Sequence, residues 1–152
     1  TFLWFNTEAE EAAKHYVAAF PDSRINHVAR YGEAGPGPAG SVMIVDFTLA
    51  GQAFVALNGG PRFTFTEAIS LAVTCEDQAE VDRLWDHLLF GGGQTQACGW
   101  LKDRYGLSWQ VVPRRFFEML DDTYDIRLIR VFAAMMHMIK FDVGELEKAY
   151  RG

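Results

Sequence analysis

Hydrophobic and polar positions along the chain change period several times, and each change marks an element. Phe2 to Phe5 is an apolar, aromatic-rich run of strand length. After it Ala12, Ala13, Tyr16, Val17 and Phe20 recur at helical spacing. Thr7 with Glu10 three residues later has the spacing of a capping box, and Pro21 stops the helix. Three strands are predicted next, over Ile25 to Tyr31, Val42 to Leu49 and Phe54 to Leu57. The Gly- and Pro-rich stretch Gly32 to Gly40 reads as a loop, and Ala50-Gly51 as the tight turn of a hairpin. Asn58-Gly59-Gly60-Pro61 closes this first set of strand, helix and three strands.

The same order then recurs. Ile69 to Cys75 is a strand, and Asp77 with Glu80 repeats the cap spacing. Val81, Leu84, Trp85 and Leu88 form the stripe of a second helix that Gly91-Gly92-Gly93 ends. Thr95 to Cys98, Trp100 to Lys102 and Ser108 to Val112 are short strands, with Arg104-Tyr105-Gly106 turning between the last two. Setting Ala12 on Val81 also sets Tyr16 on Trp85, an internal repeat offset by 69 residues. From Phe116 the period is helical again. Leu128, Val131, Phe132, Met135 and Ile139 trace one face, and Asp142 with Glu145 caps a last helix to Tyr150. Met135, Met136 and Met138 read first as flexible core filling, and second as part of an arm docked on another subunit.

Composition narrows the class. With 49% hydrophobic and 22% charged residues, the 152-residue chain has the balance of a soluble globular protein with a real core. A formal net charge of -6 argues against nucleic-acid binding, which needs clustered Lys and Arg; the adjacent Arg114 and Arg115 read as a solvated turn. No apolar run approaches the roughly 20 residues that span a bilayer. Cys75 and Cys98 are too few for a disulfide framework and lack metal-site spacing, so the expected compartment is the cytoplasm. The chain opens inside an apolar run, so a native start further upstream is expected.

Four stretches carry a family resemblance: Phe5 to Ala12 (FNTEAEEA), Ala56 to Pro61 (ALNGGP), Phe63 to Ser70 (FTFTEAIS) and Cys98 to Gln110 (CGWLKDRYGLSWQ). Together with the duplication they resemble the vicinal-oxygen-chelate superfamily of glyoxalases, bleomycin-resistance proteins and dioxygenases. Within it they resemble the PhnB-like branch, often described as demethylubiquinone methyltransferases, and the likeness extends to the helical tail. The resemblance implies an α+β fold in which two βαβββ modules form a cupped mixed sheet. It implies one domain over residues 1–152, with modules at about 1–61 and 62–115 and a helical tail at 116–152. It also implies a homodimer in which strands from two modules form each cavity, and it does not imply a reaction.

Metal-using members of the superfamily hold a divalent ion with His and Glu at four inward-facing strand positions. Here those positions fall near Thr1, at Ala56 or Asn58, at Ser70 and at Gln110, and none is a His, Asp or Glu. A neutral serine or glutamine cannot supply a carboxylate's charge, so no bound metal and no cofactor is expected. His15, His87 and His137 are assigned to helices and His27 to another strand, as surface or partly buried side chains.

Alternation along the strands assigns Ser70, Ala72 and Thr74 to the cup and Leu71, Val73 and Cys75 to the core. Likewise Ser108, Gln110 and Val112 face the cup, while Trp109 and Val111 face the core. The candidate ligand-binding residues are therefore Asn58, Ser70, Trp100 and Gln110. Cys98, beside Gly99 and Trp100 with Lys102 and Asp103 nearby, is a further candidate, or a small packed residue. Trp4, Trp85 and Trp109 are assigned to core.

Three functions stay open: a metal-free small-molecule-binding dimer, a glyoxalase- or dioxygenase-type enzyme with an atypical metal site, and a protein that mainly assembles. Methyl transfer is a weaker fourth. A doubly wound methyltransferase needs a glycine-rich turn after its first strand, and Asn6-Thr7-Glu8 has no glycine.

Overall fold

A computed structural model describes residues 1–121 and 126–152. The chain forms two compact units, Thr1–Phe65 and Thr66–Gly152. The first contains β1 (Phe2–Phe5), α1 (Ala9–Ala19), β2 (Arg24–Arg30), β3 (Val42–Leu49) and β4 (Gln52–Asn58), with sheet order β1-β4-β3-β2. β1 runs parallel to β4, and the other pairings are antiparallel. The period-two pattern sends Val45, Phe47, Leu49, Phe54 and Ala56 to one buried face, and α1 covers it with Ala12, Ala13 and Tyr16. Phe47 stacks on Phe54 at 5.5 Å between centroids. Ala50 (φ +47°) and Gly51 (φ +77°) are both left-handed, as a two-residue hairpin turn of matching twist requires.

The predicted Thr7 cap does not form. α1 starts at Ala9, and the Thr7 N–H donates to Glu8 Oε2 at 2.8 Å. Ala9 N–H donates instead to Asn58 Oδ1 at 2.8 Å, across 49 residues. The reason is topological. Parallel pairing puts Phe5 beside Asn58, so the amide that ends β4 reaches the helix N-terminus before a local hydroxyl is needed.

The second unit repeats the order with β5 (Leu71–Cys75), α2 (Gln78–Leu89), β6 (Gln94–Thr95), β7 (Trp100–Lys102) and β8 (Ser108–Pro113), arranged β5-β8-β7-β6. β5 is parallel to β8, the counterpart of β1 with β4. Two βαβββ modules are therefore present, as the 69-residue offset of the helices predicts. Here the predicted cap forms: Glu80 N–H donates to Asp77 Oδ1 at 2.9 Å, and the Glu80 carboxylate reaches back one residue past the cap to accept from Glu76 N–H at 2.8 Å. Val81, Leu84, Trp85 and Leu88 are all buried.

Three helices follow: α3 (Arg114–Asp121), α4 (Ile126–Met135) and α5 (Val143–Arg151). They pack on the module that precedes them. Phe116, Met119, Val131, Phe141 and Leu146 cluster with Val112 of β8. Gln78 of α2 clamps the chain from both sides, donating to Phe141 O at 3.1 Å and accepting from Val143 N–H at 2.8 Å. Arg114 and Arg115 are not a solvated turn: they open α3 and pair with Glu76 and Glu147. Asp142 caps α5 through Glu145 N–H at 2.9 Å, as expected.

Several sequence expectations change around the tail. β6 is only two residues long because the chain turns at Cys98 (φ +58°) and Gly99 (φ +79°). Their N–H groups donate to Met138 O and Ile139 O, each at 2.8 Å, instead of to a strand. Val112, assigned to an open cup face, is 6% exposed because the tail covers it. Of the predicted tail stripe, Val131 is fully buried, whereas Phe132 and Ile139 are exposed. Met119 fills the core and Met135 and Met138 pack against it, but Met136 points outward. His137 lies just past the end of α4, not on a helix.

Candidate functional site

A cavity of about 400 Å³ opens in the first unit, at the end of β4 and the start of α1. Such a volume is within the range of small-molecule sites, roughly 300–1,000 Å³. Tyr31, Pro36, Pro38 and Val42 give it apolar walls, and Gly59 and Gly60 form its floor. Gly59 is required there, because a Cβ would stand 2.2 Å from the Trp4 ring. Trp4 is half-buried rather than core. Its indole N–H donates to Gly60 O at 2.9 Å, and its ring meets Phe63 edge-on.

The polar groups of the cavity divide into committed and available ones. Asn58 lines it, but its amide is spent on the fold: Oδ1 caps α1, and Nδ2 donates to Val42 O at 3.1 Å. Tyr31 OH donates to Asn58 O at 2.7 Å and fixes the loop side. Glu10 is neutralised by Lys14 at 2.8 Å, whose hydrogen bond holds the carboxyl below its usual range. Among the described residues the Asn6 amide and Thr7 hydroxyl have no recorded side-chain partner, and both line the cavity. Sequence reasoning missed Asn6, Thr7 and Tyr31. Asn6-Thr7 stands next to a predicted strand end, which is the signal that could have found them.

In the second unit, Ser70, Gln110 and Trp100 come together. Gln110 Nε2 donates to Ser70 Oγ at 2.8 Å. Trp100 lies directly across the β7–β8 pair from Gln110, so both side chains share one sheet face. Ala72 and Thr74 are exposed and Cys75 is buried, in the alternation the sequence predicts. Burial pushes the Cys75 thiol up to about 12. Cys98 is turned toward the tail, where its thiol donates to Met135 O at 3.6 Å.

The residues do not fit a divalent metal site. Gln110 Nε2 is spent on Ser70 Oγ and both side chains are neutral, Asn58 is a helix cap, and Ala56 is fully buried on the face that α1 covers. Among the described residues no three His, Cys, Asp or Glu side chains are grouped to hold an ion. His27, in β2 opposite Asp46, is exposed. Also among the described residues, no helix is long and apolar enough to cross a membrane.

Asp103 was not singled out as a site residue by the sequence, yet both of its carboxylate oxygens are committed to hydrogen bonds in the second unit. It is 3% exposed; Oδ1 accepts from Tyr105 N–H at 2.9 Å and Leu107 N–H at 3.0 Å, and Oδ2 accepts from Trp109 Nε1–H at 2.9 Å. It shapes the β7–β8 turn and ties it to the core indole.

Residues 1–112 match the model of the family described as 3-demethylubiquinone-9 3-methyltransferase. Among solved structures, the chain is similar to a PhnB protein from Bacillus cereus. The two are 40% identical over 74% of this chain and 96% of that one, with a TM-score of 0.68. A protein from Pseudomonas aeruginosa shares the fold at 23% identity, over 74% of this chain and 93% of that one, with a TM-score of 0.61. No curated protein matches the chain. The family match stops short of α3, α4 and α5, so the likeness read from sequence into the tail is not part of it.

Proposed function

The chain belongs to the 3-demethylubiquinone-9 3-methyltransferase family, the PhnB-like branch of the vicinal-oxygen-chelate superfamily, and from that premise we propose that it is a metal-free small-molecule-binding protein acting as a homodimer. The observation that carries this reading is the first-unit cavity, with apolar walls and two uncommitted polar groups, Asn6 and Thr7. Its one carboxylate is already paired with Lys14. An uncharged organic molecule with one or two hydrogen-bonding atoms suits that lining. The Ser70–Gln110 pair beside Trp100 is a second small polar cluster on a half-buried strand face, where an aromatic ligand could stack. The family description names a methyl transfer; the reading here rests on the cavity and takes no reaction from that name.

Thermal-shift screening with uncharged aromatic and alicyclic metabolites tests the proposal. A ligand at about 100 times its Kd should raise stability by about 2.7 kcal/mol. Filling the cavity through Thr7→Trp, at an exposed position that lines it, should abolish the shift. A broad set with no stabilising compound would count against it, as would a shift that the substitution leaves untouched.

A further inference from the structure

α4 presents two apolar faces. Val131 and Met135 turn inward, with Val131 fully buried. On the outside Ile126, Ile129, Phe132 and Met136 recur at three- and four-residue spacing, so they form one stripe. Ile139 follows just past the helix end. These five side chains are between 41% and 65% exposed.

No solvated polar face separates the two. The only charged residues of α4 are Arg127 and Arg130, and both are spent on α5. Arg127 donates to Tyr150 OH at 3.1 Å, and Arg130 donates to Ala149 O at 2.8 Å and Tyr150 O at 3.0 Å. A helix apolar all round is a buried helix, yet in one copy of the chain only Phe132 of the outer stripe meets another ring, edge-on against Phe116 at 6.2 Å, and the rest of the stripe stays exposed.

We propose that a second copy of this chain covers the stripe, so that two α4 helices pack on each other across a two-fold axis. This rests on the dimer reading above and adds a contact through the tail to it, and it does not depend on what the cavity binds. Area supports it. With about 150–250 Å² for a fully exposed large side chain, the five residues offer on the order of 500 Å². A standard interface buries about 800 Å² per partner, and homodimer interfaces are about 65% apolar, so the stripe matches the apolar share that a stable dimer needs. A two-fold contact is self-complementary by construction, as an uninterrupted apolar stripe is. The face also lies outside the stretch that matches the family, which ends at residue 112.

Sedimentation equilibrium of the full chain, alone and as Ile129→Glu and Met136→Lys, tests the assignment. Both positions face solvent in one copy, so far-UV circular dichroism should be unchanged; if a variant loses its helical signal, Ile129→Ser takes its place. A dimeric parent with both variants at least tenfold weaker in association supports the proposal. A dimer that persists in both variants overturns the face while leaving a dimer standing. A monomeric parent overturns both, and if that monomer co-sediments with phosphatidylcholine vesicles the stripe belongs to a lipid surface instead.

Discussion

Replacing Asp103 gives the sharpest stability prediction, because its three recorded hydrogen bonds differ in burial. In Asp103→Ala, Leu107 N–H and the Trp109 indole N–H lose their acceptor in a place water does not reach, since Leu107 and Trp109 are each 1% exposed. Each buried donor left unsatisfied costs about 1–3 kcal/mol. The half-buried Tyr105 N–H can recover water and costs less. The total is about 3–5 kcal/mol, kept below a simple sum because the three bonds share one acceptor group. Asp103→Asn keeps one oxygen but turns an NH2 toward one of the donors, so about 1–3 kcal/mol is lost. For a chain of this length a loss of 1 kcal/mol lowers Tm by about 2–4 °C. Calorimetry should therefore rank the native chain above Asp103→Asn and that above Asp103→Ala, with a drop on the order of 10 °C for alanine. Equal stability of the asparagine variant and the native chain would refute the reasoning, because the indole bond would then contribute nothing.

Other consequences follow from the same geometry. Asn58→Ala removes a helix cap and the partner of Val42 O, at a cost of about 2 kcal/mol in urea unfolding, whereas Asn58→Asp keeps the acceptor and should retain part of that stability; equal losses would mean the cap is idle. The Cys75 thiol, pushed up to about 12 by burial, keeps a proton in the folded chain that the unfolded chain releases above its ordinary value of 9.0. Stability should therefore fall as pH rises from about 9 toward 12, and Cys75 should resist thiol reagents at pH 8; rapid labelling of native protein there would contradict this. Glu76, Asp82 and Glu147 are held below their usual range by Arg114, Lys140 and Arg115. Because the folded values are depressed, their contribution is present above the ordinary carboxylate range and is lost as pH falls through it. All three fasten the tail, so hydrogen exchange in α3 and α5 should accelerate below about pH 4.5 before that of α1 and β3; simultaneous loss would show that the pairs do not hold it.

Both modules were legible in the sequence because each local signal agreed with the next. The stripe Val81, Leu84, Trp85 and Leu88, the Asp77–Glu80 cap and the Ala50-Gly51 turn are read from neighbours a few residues apart, and all three form. What was missed depends on distant pairing. Thr7 and Asn58 compete for one helix end, and only the β1–β4 register decides between them. Strand alternation could place Gln110 with Ser70, but it could not tell that Phe116 and Phe141 would cover Val112 on the same strand. Asp103, named only as a neighbour of Cys98, was not read as an anchor because an Asp before a turn is ordinary, and its bonds to Leu107 and Trp109 form only once the β7–β8 turn closes. The cavity beside Asn6 and Thr7 depends on where the 32–40 loop closes, and a Gly- and Pro-rich stretch does not announce its path.

Heteronuclear NMR of the labelled chain, titrated with a compound selected by thermal shift, tests the central claim most directly. The account predicts that the amides of Asn6, Thr7, Tyr31, Gly59 and Gly60 shift together and saturate, and that excess chelator leaves the titration unchanged. Shifts confined to other residues, or binding that disappears with chelator, would contradict it.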